Sequence, residues 1–170
     1  TVPRGGGMSY THGYTPTERG SIIVDLRGLD RIVEINAEEM YVTVECGCTW
    51  ESLYRACREH GVRTPFFGPN SGRFATVGGS LSQDAVFYGS GRHGFVSESV
   101  IGLEVVTAAG TLVRTGSASL GDRAPFWRHS GPDLTGPFLG DTGALGLKAR
   151  ATLRLVPFPA ASAFASFGYD

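Results

Sequence analysis

The sequence predicts an α+β fold, with a mostly antiparallel sheet flanked by helices. Stretches with the composition of β-strands outnumber stretches with the spacing of amphipathic helices. Short turn sequences separate several of these strands, which favours hairpins, because parallel strands need long crossover connections. The chain has 170 residues, of which 41% are hydrophobic, so it is long and apolar enough to bury a core.

Two hairpins and two further strands make up the predicted sheet. The first hairpin has a polar turn at residues 36–39, and the second turns at residues 108–110. The last strand alternates apolar side chains with polar ones such as Lys148, which predicts that one of its faces is exposed. Pro157 and Pro159 are expected to end it. The predicted strands are residues 21–26, which read as a buried apolar run, and residues 31–36, 40–46, 99–107, 111–115 and 147–156.

One stretch has the full signature of an amphipathic helix. Thr49 is a good N-terminal cap, and Trp50, Leu53 and Cys57 recur at the spacing of one apolar face. Gly61 can end this helix in a left-handed conformation.

Two shorter helical stretches and one loop complete the prediction. A helix is expected at residues 80–86, with Ser80 or a neighbour as its cap, and another at residues 134–139. Residues 116–135 are loop-rich, and we expect Phe126 and Trp127 within them to pack against the protein.

Charge and cysteine usage narrow the functional classes. The formal net charge is −1, which gives no electrostatic reason to expect nucleic acid or an anionic membrane as a partner. No apolar run has the length of a transmembrane segment. Cys46, Cys48 and Cys57 are odd in number and close in sequence, which argues against a disulfide framework and favours a reducing compartment, so we expect a cytoplasmic protein. We favour the interpretation that these thiols are buried and inert. The alternative is a reactive thiol or a metal ligand. We predict no metal site.

Glycine is the strongest compositional signal, with 25 residues clustered rather than evenly spread. Consecutive glycines let backbone N–H groups point into one concavity, which suits a phosphate or diphosphate, but such stretches also form plain flexible loops or turns. The first cluster is no Walker motif, because no Gly-Lys-Ser/Thr follows, and no Rossmann fingerprint, because no strand is predicted before it. The first glycine segment is Pro3-Arg4-Gly5-Gly6-Gly7-Met8-Ser9-Tyr10, the second is Ala75-Thr76-Val77-Gly78-Gly79-Ser80, and the third is Gly140-Asp141-Thr142-Gly143-Ala144-Leu145-Gly146-Leu147.

Taken together and in order, these motifs resemble the FAD-binding domain of the vanillyl-alcohol oxidase and para-cresol methylhydroxylase (PCMH) superfamily, which includes the D-lactate dehydrogenase and glycolate oxidase flavoproteins. The resemblance covers residues 2–157. Its markers are Pro3-Arg4-Gly5-Gly6-Gly7, Val24-Asp25-Leu26 followed by Arg31-Ile32-Val33-Glu34-Ile35, Thr76-Val77-Gly78-Gly79, Gly102-Leu103-Glu104-Val105-Val106, and Asp133-Leu134-Thr135-Gly136 leading to Gly143-Ala144-Leu145-Gly146.

The resemblance implies the second lobe of a PCMH-type FAD-binding domain, at residues 1–157. It implies that the N-terminal βαβ lobe is missing and that residues 158–170 begin a truncated substrate (cap) domain; the opening of the chain, without an initiator Met, agrees with a piece of a longer protein. Some relatives attach FAD to a histidine where this sequence has Met8, so noncovalent FAD is expected. The implied cofactor-binding residues are Arg4, Gly5, Gly6, Gly7, Met8, Ser9, Tyr10, Thr76, Gly78, Gly79, Ser80, Gly143, Leu145, Gly146 and Leu147.

The implied function is that of an FAD-dependent oxidoreductase, a flavoprotein of the FAD-linked oxidase type, acting on a small-molecule substrate. A 2-hydroxy acid such as lactate or glycolate is the first expectation, although Thr142 stands where many such relatives carry glutamate. The alternatives are oxidation of a para-substituted phenol, a flavin-binding module without activity of its own, and a glycine-rich β protein without a cofactor. We assign no catalytic residue: two basic pairs, Arg92-His93 and Arg128-His129, either face the flavin or pin loops.

Overall fold

The computed structural model describes residues 1–66, 68–121 and 125–168. The strands among these residues are β1 (Val2–Arg4), β2 (Ile23–Asp25), β3 (Ile32–Asn36), β4 (Tyr41–Glu45), β5 (Val62–Arg63), β6 (Val100–Val106), β7 (Leu112–Arg114), β8 (Leu147–Arg154) and β9 (Val156–Pro157). The α-helices are α1 (Trp50–Glu59), α2 (Val77–Gln83) and α3 (Ser90–His93).

The main sheet has five strands in the order β3-β4-β8-β6-β7, and every neighbouring pair is antiparallel. The two predicted hairpins are confirmed as β3-β4 and β6-β7, and the predicted α+β class with a mostly antiparallel sheet is confirmed with them. The expectation that one face of β8 is exposed holds only in part. Arg154 is exposed and the Arg150 side chain is 38% exposed, but Lys148 and Thr152 are buried beside the apolar residues.

Helix α1 forms as its sequence predicts. The Thr49 hydroxyl oxygen accepts a hydrogen bond from the Ser52 N–H at 3.2 Å, which satisfies one of the free donors at the helix start. Trp50, Leu53 and Cys57 are buried against the sheet, where they join the core that β4, β6 and β8 contribute. The helix ends at His60, before Gly61 with its positive φ of 70°.

Helix α2 begins three residues earlier than the predicted helix at residues 80–86. Thr76, not Ser80, is its N-terminal cap, and the Thr76 hydroxyl accepts from the Gly79 N–H at 3.3 Å. Asp84 ends the helix in the left-handed conformation, with φ of 45°. The two glycines of the second segment therefore lie inside the first turn of a helix, where glycine has low intrinsic helical propensity and packing must hold the turn.

Strands β1 and β2 form a separate parallel pair in which Pro3 lies opposite Val24. The prediction that no strand precedes the first glycine segment is therefore wrong, because β1 leads directly into it. The buried interpretation of residues 21–26 is also wrong: this pair does not join the main sheet, and Ile23 is 46% exposed.

Several smaller expectations are changed as well. Phe126 and Trp127 are exposed instead of packed down, although the Phe126 ring meets Tyr41 edge-on at 6.2 Å. The helix expected at residues 134–139 is a single 3-10 turn, Gly136–Phe138. Pro157 does not end the last long strand as predicted. Strand β8 already ends at Arg154, and Pro157 lies in the short strand β9, where it pairs with Val62. Among the described helices, none is long and apolar enough to cross a membrane.

Candidate ligand-binding cleft

The three glycine segments meet around one cleft with a volume of about 860 Å³, within the range of small-molecule and cofactor sites. The first and second segments touch where Gly5 packs against Thr76. The first and third touch where Gly143 packs against Pro3, and the third is tied to α2 by the Thr142 N–H, which donates to the Ser82 carbonyl at 2.8 Å. Turns more than 60 residues apart in sequence thus form one groove.

Glycine is required at the two places where the segments touch. A Cβ on Gly5 would overlap the Thr76 hydroxyl oxygen, and a Cβ on Gly143 would lie 2.5 Å from the Pro3 ring. Gly143 also has φ of 83°, which L side chains rarely adopt. The segments can therefore approach this closely only because Gly5 and Gly143 have no side chain.

The first glycine segment presents unused hydrogen-bond donors. Within the described parts of the chain, the six backbone N–H groups of residues 5–10 donate to no protein acceptor. The loop is held instead by its far end, where the Thr11 N–H donates to the Ser9 hydroxyl oxygen at 3.2 Å. Successive N–H groups in a glycine-rich turn form a concave donor surface, which is suited to the oxygens of a phosphate or diphosphate.

Most of the backbone donors of the second glycine segment are occupied. The Val77 N–H donates to the Cys48 carbonyl at 2.9 Å, and the Gly78 N–H to the Cys46 carbonyl at 2.8 Å. The Ser80 hydroxyl accepts from the Trp50 indole N–H at 2.7 Å. This segment therefore lines the cleft next to the core but offers a ligand few backbone N–H groups.

A buried carboxylate orders the third glycine segment. Asp141 accepts from the Gly143 N–H at 2.9 Å and from the Leu145 N–H at 3.1 Å. The Lys148 ammonium donates to the same carboxylate at 2.5 Å and to the Ser82 hydroxyl at 3.0 Å. The pair connects the segment to both β8 and α2.

Comparison with known proteins identifies the family and its cofactor. The model of the FAD binding domain family matches residues 1–116. The chain belongs to this family. The resemblance that the ordered motifs carried is thereby confirmed, and FAD is the cofactor.

Related proteins agree with this assignment. The chain is 35% identical to the glycolate oxidase subunit GlcD of Bacillus subtilis, over 93% of this chain and 32% of the relative. It is 30% identical to the mitochondrial D-lactate dehydrogenase (cytochrome) of Kluyveromyces lactis, over 97% of this chain and 29% of the relative. A solved structure of alkyldihydroxyacetonephosphate synthase has the same fold, with a TM-score of 0.79 at 22% identity, over 94% of this chain and 30% of that one. The chain thus spans about a third of the length of these proteins.

The cleft brings together most of the predicted FAD-binding residues. Arg4, Leu145 and Leu147 are the predicted residues that do not line it. Arg4 folds over Gly7, and its Nε atom is buried without a hydrogen-bond partner in the described structure. The predicted residues that line the cleft are Gly5, Gly6, Gly7, Met8, Ser9, Tyr10, Thr76, Gly78, Gly79, Ser80, Gly143 and Gly146.

Sequence reasoning missed two parts of the cleft. One is an apolar wall that follows α2, with Val86, Phe87 and Tyr88 lining the cleft and the Phe87 ring edge-on to Trp50 at 5.2 Å. The run of large apolar side chains between two glycine-rich stretches was the available signal. The other is Lys148, which the alternating pattern of β8 placed on an exposed face.

The basic residues considered as flavin neighbours lie elsewhere. Arg92 and His93 do not line the cleft, and the His93 ring packs edge-on against Phe66 at 6.3 Å. Burial, with the charge of Arg92 nearby, lowers the pKa of His93. Arg128 donates to the Asp133 carboxylate at 2.9 Å and to the Ser97 carbonyl at 2.8 Å, so it pins a loop.

The three cysteines are free and buried, as the favoured interpretation predicted. Burial raises the pKa of Cys46 and Cys57 to about 12 and that of Cys48 to about 11. The nucleophilic thiolate is therefore scarce at neutral pH, which disfavours the reactive-thiol alternative. No group of three or more metal-ligating side chains occurs among the described residues.

Proposed function

We propose that the chain holds FAD noncovalently, with the diphosphate in the concavity of residues 5–10. The observation that carries this proposal is the run of six backbone N–H groups without a protein acceptor at the wall of the cleft. The second and third segments then form the walls along which the rest of the cofactor lies. Met8 lies in the lining and has no side-chain group that forms a flavin linkage of the histidine type, which supports the noncovalent mode.

The protein that contains this chain is proposed to be an FAD-dependent oxidoreductase acting on a small 2-hydroxy acid. The support is the similarity to proteins named glycolate oxidase subunit and D-lactate dehydrogenase. Bound FAD supplies a hydride acceptor for a substrate C–H bond. The residues of this chain bind and orient the cofactor, and the wall around Phe87 gives one side of the cleft an apolar lining.

Segments beyond this chain are proposed to complete the site. Tyr10, Val86 and Tyr88 line the cleft yet are largely exposed, so they form an apolar rim that a substrate domain and an N-terminal lobe would cover. The boundary at residue 157 stays a prediction. A cytoplasmic location is proposed from the free, buried cysteines.

Ligand titration of the full-length apoprotein tests the binding proposal. FAD and ADP should bind with affinities that fall as salt rises, and riboflavin, which has no phosphate, should bind at least ~100-fold more weakly than FAD. Riboflavin binding as tight as FAD binding would contradict a role for the amide concavity. Denaturation in acid should release all the flavin from the protein; flavin that stays with the polypeptide would contradict the noncovalent mode.

Anaerobic reduction tests the substrate proposal. Glycolate or D-lactate added to the FAD-loaded protein should bleach the flavin absorbance, and a para-substituted phenol such as p-cresol should not. Bleaching by the phenol alone would favour the phenol alternative. Tightly bound flavin that no donor reduces would favour a binding module without activity.

A further inference from the structure

Lys148 is the only lysine of the chain, and it is buried in the wall of the cofactor cleft. Its side chain is 2% exposed and that of its partner Asp141 is 3% exposed. Among the described residues that line the cleft, Lys148 is the only one with a cationic side chain, and Asp84 is the only one with an anionic side chain. Asp84 is directed at the protein, where its carboxylate accepts from the Ser97 N–H at 3.2 Å.

Asp141 has a structural task that requires a carboxylate or a close mimic. Its two oxygens accept from the Gly143 and Leu145 N–H groups, and so fix the turn that packs against Pro3. A carboxylate in this place carries a negative charge close to a cleft that receives a diphosphate. Without a compensating cation, that charge would repel the ligand across a poorly screened interior.

We propose that Lys148 is a positioning residue of the FAD cleft, whose ammonium neutralises the Asp141 carboxylate so that this carboxylate can order the third glycine segment without repelling the anionic cofactor. The ammonium also donates to the Ser82 hydroxyl, which links the ordered segment to α2. The inference rests on the proposed binding of the FAD diphosphate in this cleft.

The test is a set of charge-altering variants of the full-length protein, titrated with FAD, ADP and riboflavin. Lys148→Met keeps the length of the side chain and leaves Asp141 unpaired, so FAD and ADP affinity should fall about tenfold or more, with a smaller loss at high salt. Riboflavin affinity should change less than ~2-fold, because riboflavin carries no phosphate. Arg154→Met removes one exposed positive charge from the far end of the same strand and should leave all three affinities within ~2-fold.

The double variant Lys148→Met/Asp141→Asn separates charge from structure. The amide oxygen at position 141 still accepts from the Gly143 N–H, although the bond from the Leu145 N–H is lost. No charge remains at the pair, so a large part of the FAD affinity should return. Asp141→Asn alone leaves an unpaired ammonium at the cleft and should bind ADP at least as tightly as the parent protein; this variant keeps the test decisive if Lys148→Met fails to fold.

The outcomes distinguish this inference from the function on which it rests. A parent protein that binds neither FAD nor ADP would end the proposed function before Lys148 is tested. Normal binding by the parent together with unchanged FAD affinity in Lys148→Met would overturn the inference alone. Equal losses of FAD and riboflavin affinity in Lys148→Met, with no recovery in the double variant, would indicate that Lys148 acts only through packing. This result would also overturn the inference.

Discussion

The first and second glycine segments both contain consecutive glycines, but they use their backbone N–H groups in opposite ways. In the first, the N–H groups of residues 5–10 donate to no acceptor among the described residues. In the second, Val77 and Gly78 donate theirs to the carbonyls of Cys48 and Cys46, and the chain turns into α2. The difference teaches that glycine clusters lining one cleft can serve two purposes: one leaves backbone donors without a protein acceptor, as the proposed diphosphate site requires, and the other lets a helix pack closely against the core.

A methyl group in the first segment should affect ligand binding most. A Cβ on Gly6 would overlap the Phe74 carbonyl oxygen, so Gly6→Ala must move the loop and disperse its donors. FAD affinity is expected to fall ~100-fold or more, which corresponds to ~2.7 kcal/mol. Isothermal titration measures this loss, and thermal unfolding without FAD reports whether the fold persists.

Gly28→Ala is the matched control for this change. A Cβ on Gly28 meets no atom within 4 Å, so FAD affinity and unfolding temperature should both stay at the parent values. Unchanged FAD affinity in Gly6→Ala would show that the first segment is not the donor surface.

A methyl group in the second segment should affect stability instead. On Gly78 it would lie 2.7 Å from the Cys46 Cβ and 3.0 Å from the Cys46 carbonyl oxygen, neither of which can rotate away. The free energy of unfolding without FAD should fall by ~1–3 kcal/mol, despite the better helical propensity of alanine. Urea denaturation measures it.

Gly91 offers the comparison for a helical glycine with open space. It lies in α3, and a Cβ there meets nothing within 4 Å, so Gly91→Ala should keep or raise the stability by up to ~1 kcal/mol. If Gly78→Ala were as stable as Gly91→Ala, close packing on Cys46 would not explain the second segment.

The parts of the fold that sequence predicted are those set by local chemistry. Helix α1 follows from the Thr49 cap and a clear apolar period, and the two hairpins follow from polar or glycine-containing turns. The first glycine segment could be singled out because consecutive glycines are typical of a backbone donor surface.

The parts that sequence missed are set by tertiary packing. Helix α2 starts on residues of low helical propensity, and its first turn is held by the carbonyls of Cys46 and Cys48, which follow β4. Strand β1 is three residues long, and its parallel partner lies about twenty residues away. Lys148 follows a pattern typical of an exposed face, but β8 is central, and the partner that allows its burial comes from the loop before the strand.

Removal of the α2 cap should have a moderate effect. Thr76→Ala deletes the hydroxyl that accepts from the Gly79 N–H, and the free energy of unfolding should fall by about 1 kcal/mol. Thr76→Ser keeps an oxygen in the capping position and should recover most of that loss. Equal denaturation midpoints for the alanine and serine variants would argue that the cap contributes nothing to α2.

The smallest effect is expected at the thiol beneath the second segment. Burial raises the pKa of Cys46 from its ordinary value of 9.0 to about 12, so the folded state keeps a proton that the unfolded state loses above pH 9. The contribution of the neutral thiol to stability is therefore complete below pH 9 and declines as the pH rises towards 12.

At pH 8, iodoacetamide should modify Cys46 of the native protein only through opening of the fold, whereas the urea-unfolded protein should react at the rate of a free thiol. Gly78→Ala should speed native labelling, because the misfit lies against this cysteine. Native labelling as fast as that of the unfolded chain would show that the second segment does not close over the core, and the contrast between the two glycine segments would be lost.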